Sequence, residues 1–447
     1  MAVVSKIPTE VLTEIFYLLC KKSILVSELN NSRCKEDFPW AVGLVCRQWR
    51  TAFLSYPPIW ASLKLSDILG PEAPGESHAK EINRRLALYL ERSGGYPLRL
   101  NIVLWLYHNR PFTMMALEML SACSHRWQTA KFDLFCDWQP DSMLASKGKL
   151  PILEWLEVRA SYLPTHARDI FEVAPRLTHA DVGPWEKDYG WILPWTQLTK
   201  LILTFNEDFA IENDDVPNLL PMLHNIKELR FRFNCNDMYF EDDFPQFSPT
   251  LLNHLRVLEV PHPVILSWFE APSLCEIYFG DYQQWQIEPV DVHEQIFSLI
   301  QRSSCRIRKL SIGSNRQFYV GTLNDVEELV IDYLHASWIR SSIDISSLQQ
   351  LRLLTIVCWI DDDDDFKSSM NSLTTALESA RVPTRRERSS GTPIGLLERV
   401  MVEAHYDESQ EEPKIPKRLL KIAKKWPVVV FRTQPSYVRK FNQVENN

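Results

Sequence analysis

Residues 255–260 read L-R-V-L-E-V, and residues 274–279 repeat this pattern as L-C-E-I-Y-F. Alternate side chains of a β-strand point to the same side, so each copy of L-x-x-L-x-L predicts a short strand with one buried face. Ten copies occur when any bulky apolar residue, or one Ala, is allowed at the leucine positions. They begin at Leu153, Leu177, Leu198, Ile226, Leu255, Leu274, Ile307, Val326, Leu351 and Leu397.

The spacing of these copies indicates how the strands are stacked. Most successive copies begin about 20 to 29 residues apart, which is the period of leucine-rich repeats. Each copy therefore supplies one strand, and the residues between copies return as a helix or an irregular crossover. The longest gap contains the run Asp361 to Asp365, so we expect a charged insertion over 359–395. The sequence predicts an α/β fold, an irregular solenoid with a curved parallel sheet.

The turns of this solenoid lack a regular asparagine ladder. Asparagine follows only three copies, at Asn206, Asn234 and Asn315. Backbone groups in the other turns must be satisfied in another way, because unpaired buried groups destabilise the fold.

Composition argues against several chemistries. The chain has 447 residues, a net charge of -8 and only 13 glycines. It contains no G-x-G pair, no P-loop lysine motif, no G-x-S-x-G and no H-E-x-x-H. We therefore expect a protein that is not an enzyme, with no catalytic residues and no cofactor.

The nine cysteines are scattered singly and never form C-x-x-C, so we expect no metal site. Pro8, Glu10 and Glu14 interrupt what would be the apolar stretch of a signal peptide, and no long apolar window follows. These features favour the cytoplasm or nucleus.

Residues 7–60 have a helical rather than a strand-like pattern. Pro8 and Glu10 suit the first turn of a helix, and a second helix is predicted over 41–50. Both helices carry apolar residues on more than one face. A segment this small cannot cover them, so part of the apolar surface must meet a partner or the next domain.

Three motifs in this segment resemble an F-box, the helical module that binds the Skp-type adaptor of cullin-RING ubiquitin ligases. They are I-P-T-E-V-L-T-E-I-F at 7–16, V-C-R-Q-W-R at 45–50 and P-P-I-W at 57–60. The tract L-E-R-S-G-G-Y-P-L-R-L at 90–100 is similar to the segment that follows the F-box in the expanded families of mushroom-forming fungi. The chain departs from the F-box pattern in having Ile7 where leucine is usual, and a long polar connection over 20–38.

The resemblance implies a function and partners. The chain would be the substrate-recognition subunit of a Skp-cullin-F-box ligase, and the adaptor would link it to a cullin. The substrate would be a protein, with no nucleic-acid or membrane partner. The alternative is a non-degradative interaction scaffold that uses the same repeat surface. The adaptor residues carried over by position are Pro8, Leu12, Ile15, Phe16, Val45 and Trp49.

The domain layout follows from these patterns. We expect a helical module at 1–62, a leucine-rich-repeat-like solenoid at 63–412 with a loop at 66–80, and a basic cap or tail at 413–447. This last segment has nine Lys or Arg residues against Glu445 alone, and V-V-V-F at 428–431 predicts a strand.

Substrate binding is predicted on the solenoid. The residue between the second and third leucines of each copy should project from the concave face. Arg230, Glu259 and Tyr278 occupy this position in adjacent copies and have side chains suited to recognition. Tryptophans at 105, 127, 138, 155, 185, 191 and 195, with Tyr189, are either further recognition anchors or packing between irregular repeats, and we favour packing.

Overall fold

The fold is known from a computed structural model, which places the chain in the mixed α/β class with a large parallel sheet. The chain divides into two compact units, Met1–Asn206 and Glu207–Asn447. The structure describes residues 7–20, 24–25, 42–66, 76–105, 110–135, 141–160, 165–185, 190–205, 215–233, 248–279, 292–313, 323, 325–334, 350–360, 398–407 and 429–436.

Unit 1 begins with four helices. They are α1 (Thr9–Cys20), α2 (Val42–Val45), α3 (Arg47–Ser55) and α4 (Pro57–Trp60). The single helix predicted over 41–50 is wrong, because the backbone of Cys46 is extended, with φ -160° and ψ 171°. The Cys46 thiol instead caps α3 by accepting a hydrogen bond from the amide of Trp49 at 3.5 Å.

These helices share a small aromatic core. Leu12 and Phe16 of α1 are 1% exposed, and the Phe16 ring meets the edge of Trp49 with centroids 5.2 Å apart. Phe53 and Trp60 extend this core toward the sheet, with ring centroids 4.9 Å apart. One face of α1 is therefore buried, which fixes the opposite face toward the exterior.

The sheet of unit 1 is parallel, and its strands are adjacent in chain order. Helices α5 (Glu76–Arg92), α6 (Arg110–Ala122) and α7 (Asp141–Leu144) lie between strands, and 3-10 turns form the later crossovers. The strands are β1 (Ile24–Leu25), β2 (Ser62–Ser66), β3 (Leu98–Trp105), β4 (Trp127–Phe135), β5 (Trp155–Ala160), β6 (His179–Trp185) and β7 (Lys200–Phe205).

Two details of unit 1 differ from expectation. The connection predicted as polar over 20–38 contributes β1, whose Ile24 pairs with Leu63 of β2. Helix α5 begins at Glu76, so the loop predicted over 66–80 is shorter than expected. Its end agrees with the sequence, because Gly94 takes the left-handed conformation that terminates helices, with φ 52°.

Unit 2 is a second parallel arrangement, in the order β8-β10-β12-β13-β14-β15-β16-β17, with β9 and β11 paired separately. The elements are α8 (Asp215–Leu219), β8 (Glu228–Phe233), β9 (Thr250–Leu251), β10 (Val257–Val260), β11 (Phe269–Glu270), β12 (Glu276–Phe279), α9 (Val292–Ser303), β13 (Lys309–Gly313), β14 (Glu328–Leu334), β15 (Leu353–Ile360), β16 (Arg399–Asp407) and β17 (Val429–Ser436).

All ten copies of L-x-x-L-x-L form strands, as predicted. Leu229, Leu258, Leu310 and Leu354 are at most 1% exposed, which confirms the inward register. The segment predicted as a basic cap or tail at 413–447 contributes β17, as V-V-V-F predicted, and β17 pairs with β16 and extends the sheet of unit 2. The insertion cannot begin at 359, because β15 runs to Ile360; the remainder of 361–397 and the residues 408–428 lie outside the described residues.

Long polar side chains satisfy backbone carbonyls in several turns. Gln197 Nε2 donates to the carbonyls of Ala174 and Leu177 at 2.7 and 2.8 Å. Arg302 donates in the same manner to the carbonyls of Leu266 and Phe269, at 2.7 and 2.8 Å, where a 3-10 helix meets β11. These bonds perform the task that an asparagine ladder performs in regular repeats. Asn206, Asn234 and Asn315 lie outside the described residues.

Candidate functional site

The clearest candidate site is an apolar surface on the amino-terminal helices. On α1, Val11, Ile15, Leu18 and Leu19 are 41 to 59% exposed. Their spacing places them along one side of the helix, next to the side that carries the buried Leu12 and Phe16. Leu44 and Val45 of α2 are 68 and 57% exposed. These six residues form what we call the amino-terminal apolar surface: Val11, Ile15, Leu18, Leu19, Leu44 and Val45.

The structure separates the six predicted adaptor residues by depth. Pro8, Ile15 and Val45 are exposed and available to a partner. Leu12 and Phe16 lie beneath the surface, and Trp49 is half-buried against Phe16. The buried members therefore hold α1 in position rather than touch a partner.

Sequence inspection missed four members of this surface as binding residues: Val11, Leu18, Leu19 and Leu44. They were visible as apolar positions in a helical pattern. Only the burial of Leu12 and Phe16 shows which side of α1 is left open, because the sequence has apolar residues on both sides.

Polar contacts fix the orientation of α1 on the following helices. The Tyr56 hydroxyl donates to Glu14 Oε1 at 2.7 Å, and Gln48 Nε2 donates to the carbonyl of Ile7 at 3.3 Å. The hydrogen bond to Glu14, with burial and the nearby charge, raises the pKa of Tyr56 to about 12. The apolar stripe is thus presented by a helix that is held just before its first turn and at its middle.

The second candidate site is the predicted substrate triad in unit 2. Arg230 pairs in register with Glu259, and Glu259 with Tyr278, on the neighbouring strands β8, β10 and β12. All three lie on the side of the sheet opposite the leucine core, which we call the polar face. The sequence therefore predicted their juxtaposition correctly; their role in binding stays a prediction.

The triad is linked by its own contacts. Arg230 Nη1 lies 2.7 Å from Glu259 Oε2, and the Arg230 guanidinium lies 5.1 Å from the centroid of the Tyr278 ring. Lys309 Nζ approaches the same ring, at 5.7 Å from its centroid. A ligand for this face must compete with these pairs or bind over Tyr278.

Arg230 and Tyr278 both have raised pKa values. The pKa of Tyr278 is raised by burial and by its hydrogen bond to Glu276 at 2.7 Å. Burial lowers the pKa of Arg230, but the hydrogen bonds and charges of Glu259 and Glu228 outweigh it and raise the pKa overall. Arg230 therefore stays charged and Tyr278 neutral at physiological pH, so this face is suited to recognition by fixed charges.

On the polar face of unit 1, two carboxylates on the neighbouring strands β5 and β6 are buried. Glu157 and Asp181 are each 8% exposed and pair in register across β5 and β6. Lys131 Nζ lies 2.7 Å from Glu157, and Arg159 Nη2 lies 3.3 Å from Glu157 and 3.7 Å from Asp181. The cations cover the carboxylates, so the more accessible charges around them are basic.

The tryptophans divide between packing and exposure. Trp127, Trp191 and Trp195 are buried, which agrees with the predicted packing role. Trp155 is 49% exposed at the start of β5 and does not fit that prediction. The side chains of Trp105 and Trp185, and the residues Trp138 and Tyr189, lie outside the described part of the structure.

Across the described ranges, no group of three or more His, Cys, Asp or Glu residues has a metal-binding arrangement. No helix among those residues is long and apolar enough to cross a membrane.

No family model matches the chain, and no curated protein matches it.

Proposed function

We propose that this protein is the substrate-recognition subunit of a Skp-cullin-F-box ubiquitin ligase. In this proposal the amino-terminal apolar surface binds the Skp-type adaptor and the polar faces of the repeat units bind a protein substrate. The chain itself performs no chemistry. It accelerates ubiquitin transfer by holding a substrate lysine near the charged conjugating enzyme.

The observation that carries the proposal is the exposure of six large apolar side chains on two short helices. Single exposed apolar residues are normal, but four of these six follow one side of a single helix, and an exposed apolar stripe of this kind marks an interaction site. These six belong to the segment that carries the F-box-like motifs. The bond between Tyr56 and Glu14 further supports a preformed surface, which lowers the entropy lost on binding.

A second feature supports separate surfaces for the adaptor and for the substrate. The apolar surface lies on the outer side of α1 and α2, whereas the inner side of α1 packs on α3. Adaptor binding therefore need not disturb the sheet. A substrate receptor needs this independence because it must hold adaptor and substrate together.

Recruitment of a cullin through the adaptor distinguishes the ligase subunit from the non-degradative scaffold. The test is to express the tagged full chain with a Skp-type adaptor and a cullin, and to measure which of them copurify. Recovery of both supports the proposal. Recovery of the adaptor without the cullin supports the scaffold, and recovery of neither contradicts both.

A further inference from the structure

Trp155 is the exposed aromatic of the unit 1 sheet. Among the described residues it is the one large apolar side chain that is exposed on a main-sheet strand. Its register neighbours are Thr129 on β4 and His179 on β6. A groove of about 570 Å³ is lined by Thr129, Glu154, Trp155, Arg176, Thr178 and His179.

The charge around this groove is positive. Arg99 is exposed on β3, in register with Thr129, and Lys200 on β7 is in register with His179. Arg176 is exposed in the groove, and among the described residues no carboxylate pairs with Arg99 or Arg176. Glu154, the acidic residue of the lining, interacts with Gln128 Nε2 at 3.3 Å.

The buried acids of the sheet do not reverse this sign. Glu157 and Asp181 lie two residues further along the strands, where Lys131 and Arg159 cover them. An approaching ligand therefore meets one exposed tryptophan with cations on both sides, and Arg99, Arg176 and Lys200 outnumber the exposed Glu154 of the lining. Such a surface attracts negative charge and offers an apolar platform at its centre.

The arrangement of the cations indicates the shape of the ligand. Arg99 and Lys200 lie four strands apart, a distance of about 19 Å at the usual strand separation. A single phosphate is bound by groups that converge on one point, whereas these groups are spread along a line. About six residues of extended peptide span this line at roughly 3.3 Å per residue.

We propose that this groove binds an extended acidic peptide segment in which Asp or Glu residues flank one large apolar side chain. The apolar side chain packs on Trp155, and the carboxylates on either side meet Arg99 toward β3 and Arg176 and Lys200 toward β6 and β7. The identification of this peptide as part of a ligase substrate rests on the proposed function. The binding of an acidic peptide to the groove is argued independently of that function.

The experiment is fluorescence polarisation with the purified full chain and two labelled peptides, D-E-D-F-D-E-D and K-R-K-F-K-R-K. We expect saturable binding of the acidic peptide that weakens as salt is raised, and at least tenfold weaker binding of the basic one. Trp155→Ala, and separately Arg99→Glu with Arg176→Glu, should each weaken the acidic peptide at least tenfold. The charge reversal should also strengthen the basic peptide.

Two variants on other surfaces serve as controls. Phe297→Ala removes an aromatic of similar exposure from α9, and Arg256→Glu reverses an exposed charge before β10. Neither should change binding of the acidic peptide by more than twofold. Circular dichroism of each variant establishes that it is folded; Trp155→Phe, which keeps an aromatic platform and should retain most of the affinity, provides a second measurement.

Three results overturn the inference: equal affinity for both peptides, unchanged affinity in the Trp155 and arginine variants, or tighter binding of a phosphoserine peptide or single-stranded oligonucleotide. Adaptor copurification is measured on the same preparations. Adaptor binding without peptide binding refutes the groove and leaves the proposed function standing. Peptide binding without adaptor binding supports the groove and contradicts the proposed function.

Discussion

The guanidinium carbon of Arg92 lies 4.6 Å from the centroid of the Trp60 ring. Trp60 belongs to the last of the amino-terminal helices and is fully buried, and Arg92 ends the first long crossover helix. Trp60 also donates to the carbonyl of Phe53 at 3.2 Å and packs on Tyr89, with ring centroids 5.3 Å apart. The amino-terminal helices and α5 therefore share one core.

This shared core predicts a cooperative loss of structure. Trp60→Ala should lower the free energy of unfolding by about 3 to 5 kcal/mol, because it leaves a large cavity between the module and α5. Arg92→Ala should lower it by about 1 to 2 kcal/mol, since it removes the cation from the buried ring face but leaves the ring in place. Denaturant unfolding followed by circular dichroism measures both. A separate early transition for the module alone would contradict the shared core.

The amino-terminal apolar surface predicts a clean binding defect. Ile15→Asp together with Leu19→Asp should weaken adaptor binding at least a hundredfold, because charges would be buried without partners at the interface. Both side chains are exposed, at 41 and 55%, so the fold should be unaffected. Isothermal titration with the purified adaptor measures the affinity.

The matched control is Val173→Asp, since Val173 is also 55% exposed but lies between β5 and β6. It should bind the adaptor as tightly as the parent. Leu12→Asp is a poor probe, because Leu12 is 1% exposed and the charge would unfold the module rather than report on contact. Equal affinity for the parent and the double variant would show that the partner binds elsewhere.

The strands were predictable because their signal is local. Each L-x-x-L-x-L copy fixes which residues face inward, and Leu258 and Leu310 are buried accordingly. The edge strand at Ile24–Leu25 was not predictable, since two residues carry no period and their pairing with β2 is set by the sheet. Gln197 was missed for a similar reason, because its bond to Ala174 spans 23 residues and leaves no local pattern.

For the candidate sites, too, the sequence predicted which residues are neighbours but not which side chains contact each other. The sequence placed Arg230, Glu259 and Tyr278 side by side, because strand register follows from the repeat. It could not show that Arg230 already pairs with Glu259, since side-chain partners depend on the distance between strands. Trp155 and Trp127 each begin a strand, but Trp127 is buried and Trp155 is 49% exposed.

A close approach between two strands predicts an intolerant glycine. A Cβ atom added at Gly183 would lie 2.7 Å from the Cβ of Thr204 and 3.1 Å from its carbonyl oxygen. Gly183→Ala should therefore destabilise unit 1 by about 1 to 3 kcal/mol through overpacking between β6 and β7. Thermal unfolding checks the change. Gly95→Ala is the control, because a Cβ there meets nothing within 4 Å and stability should be nearly unchanged.

Cysteine reactivity offers a test of the adaptor surface that needs no mutation. Cys46 is exposed and directly follows Val45, whereas Cys305 is 7% exposed and burial raises the pKa of its thiol to about 11. The thiolate is the reactive form, so at pH 8 iodoacetamide should label Cys46 quickly and Cys305 slowly. Raising the pH above 8 should increase labelling of Cys305, because its thiolate fraction rises as the pH approaches the pKa of the thiol.

Adaptor binding should then protect Cys46 selectively. Cys46 lies beside the amino-terminal apolar surface, so a bound adaptor should slow its labelling at least tenfold by excluding the reagent. Cys275, in unit 2 and partly buried, serves as the internal control and should react at the same rate with and without the adaptor. Mass spectrometry of the labelled peptides over time gives all three rates in one sample. An unchanged rate at Cys46 in a saturated complex would place the adaptor away from α2, and slower labelling of Cys275 as well would indicate a general change in the protein rather than contact at this surface.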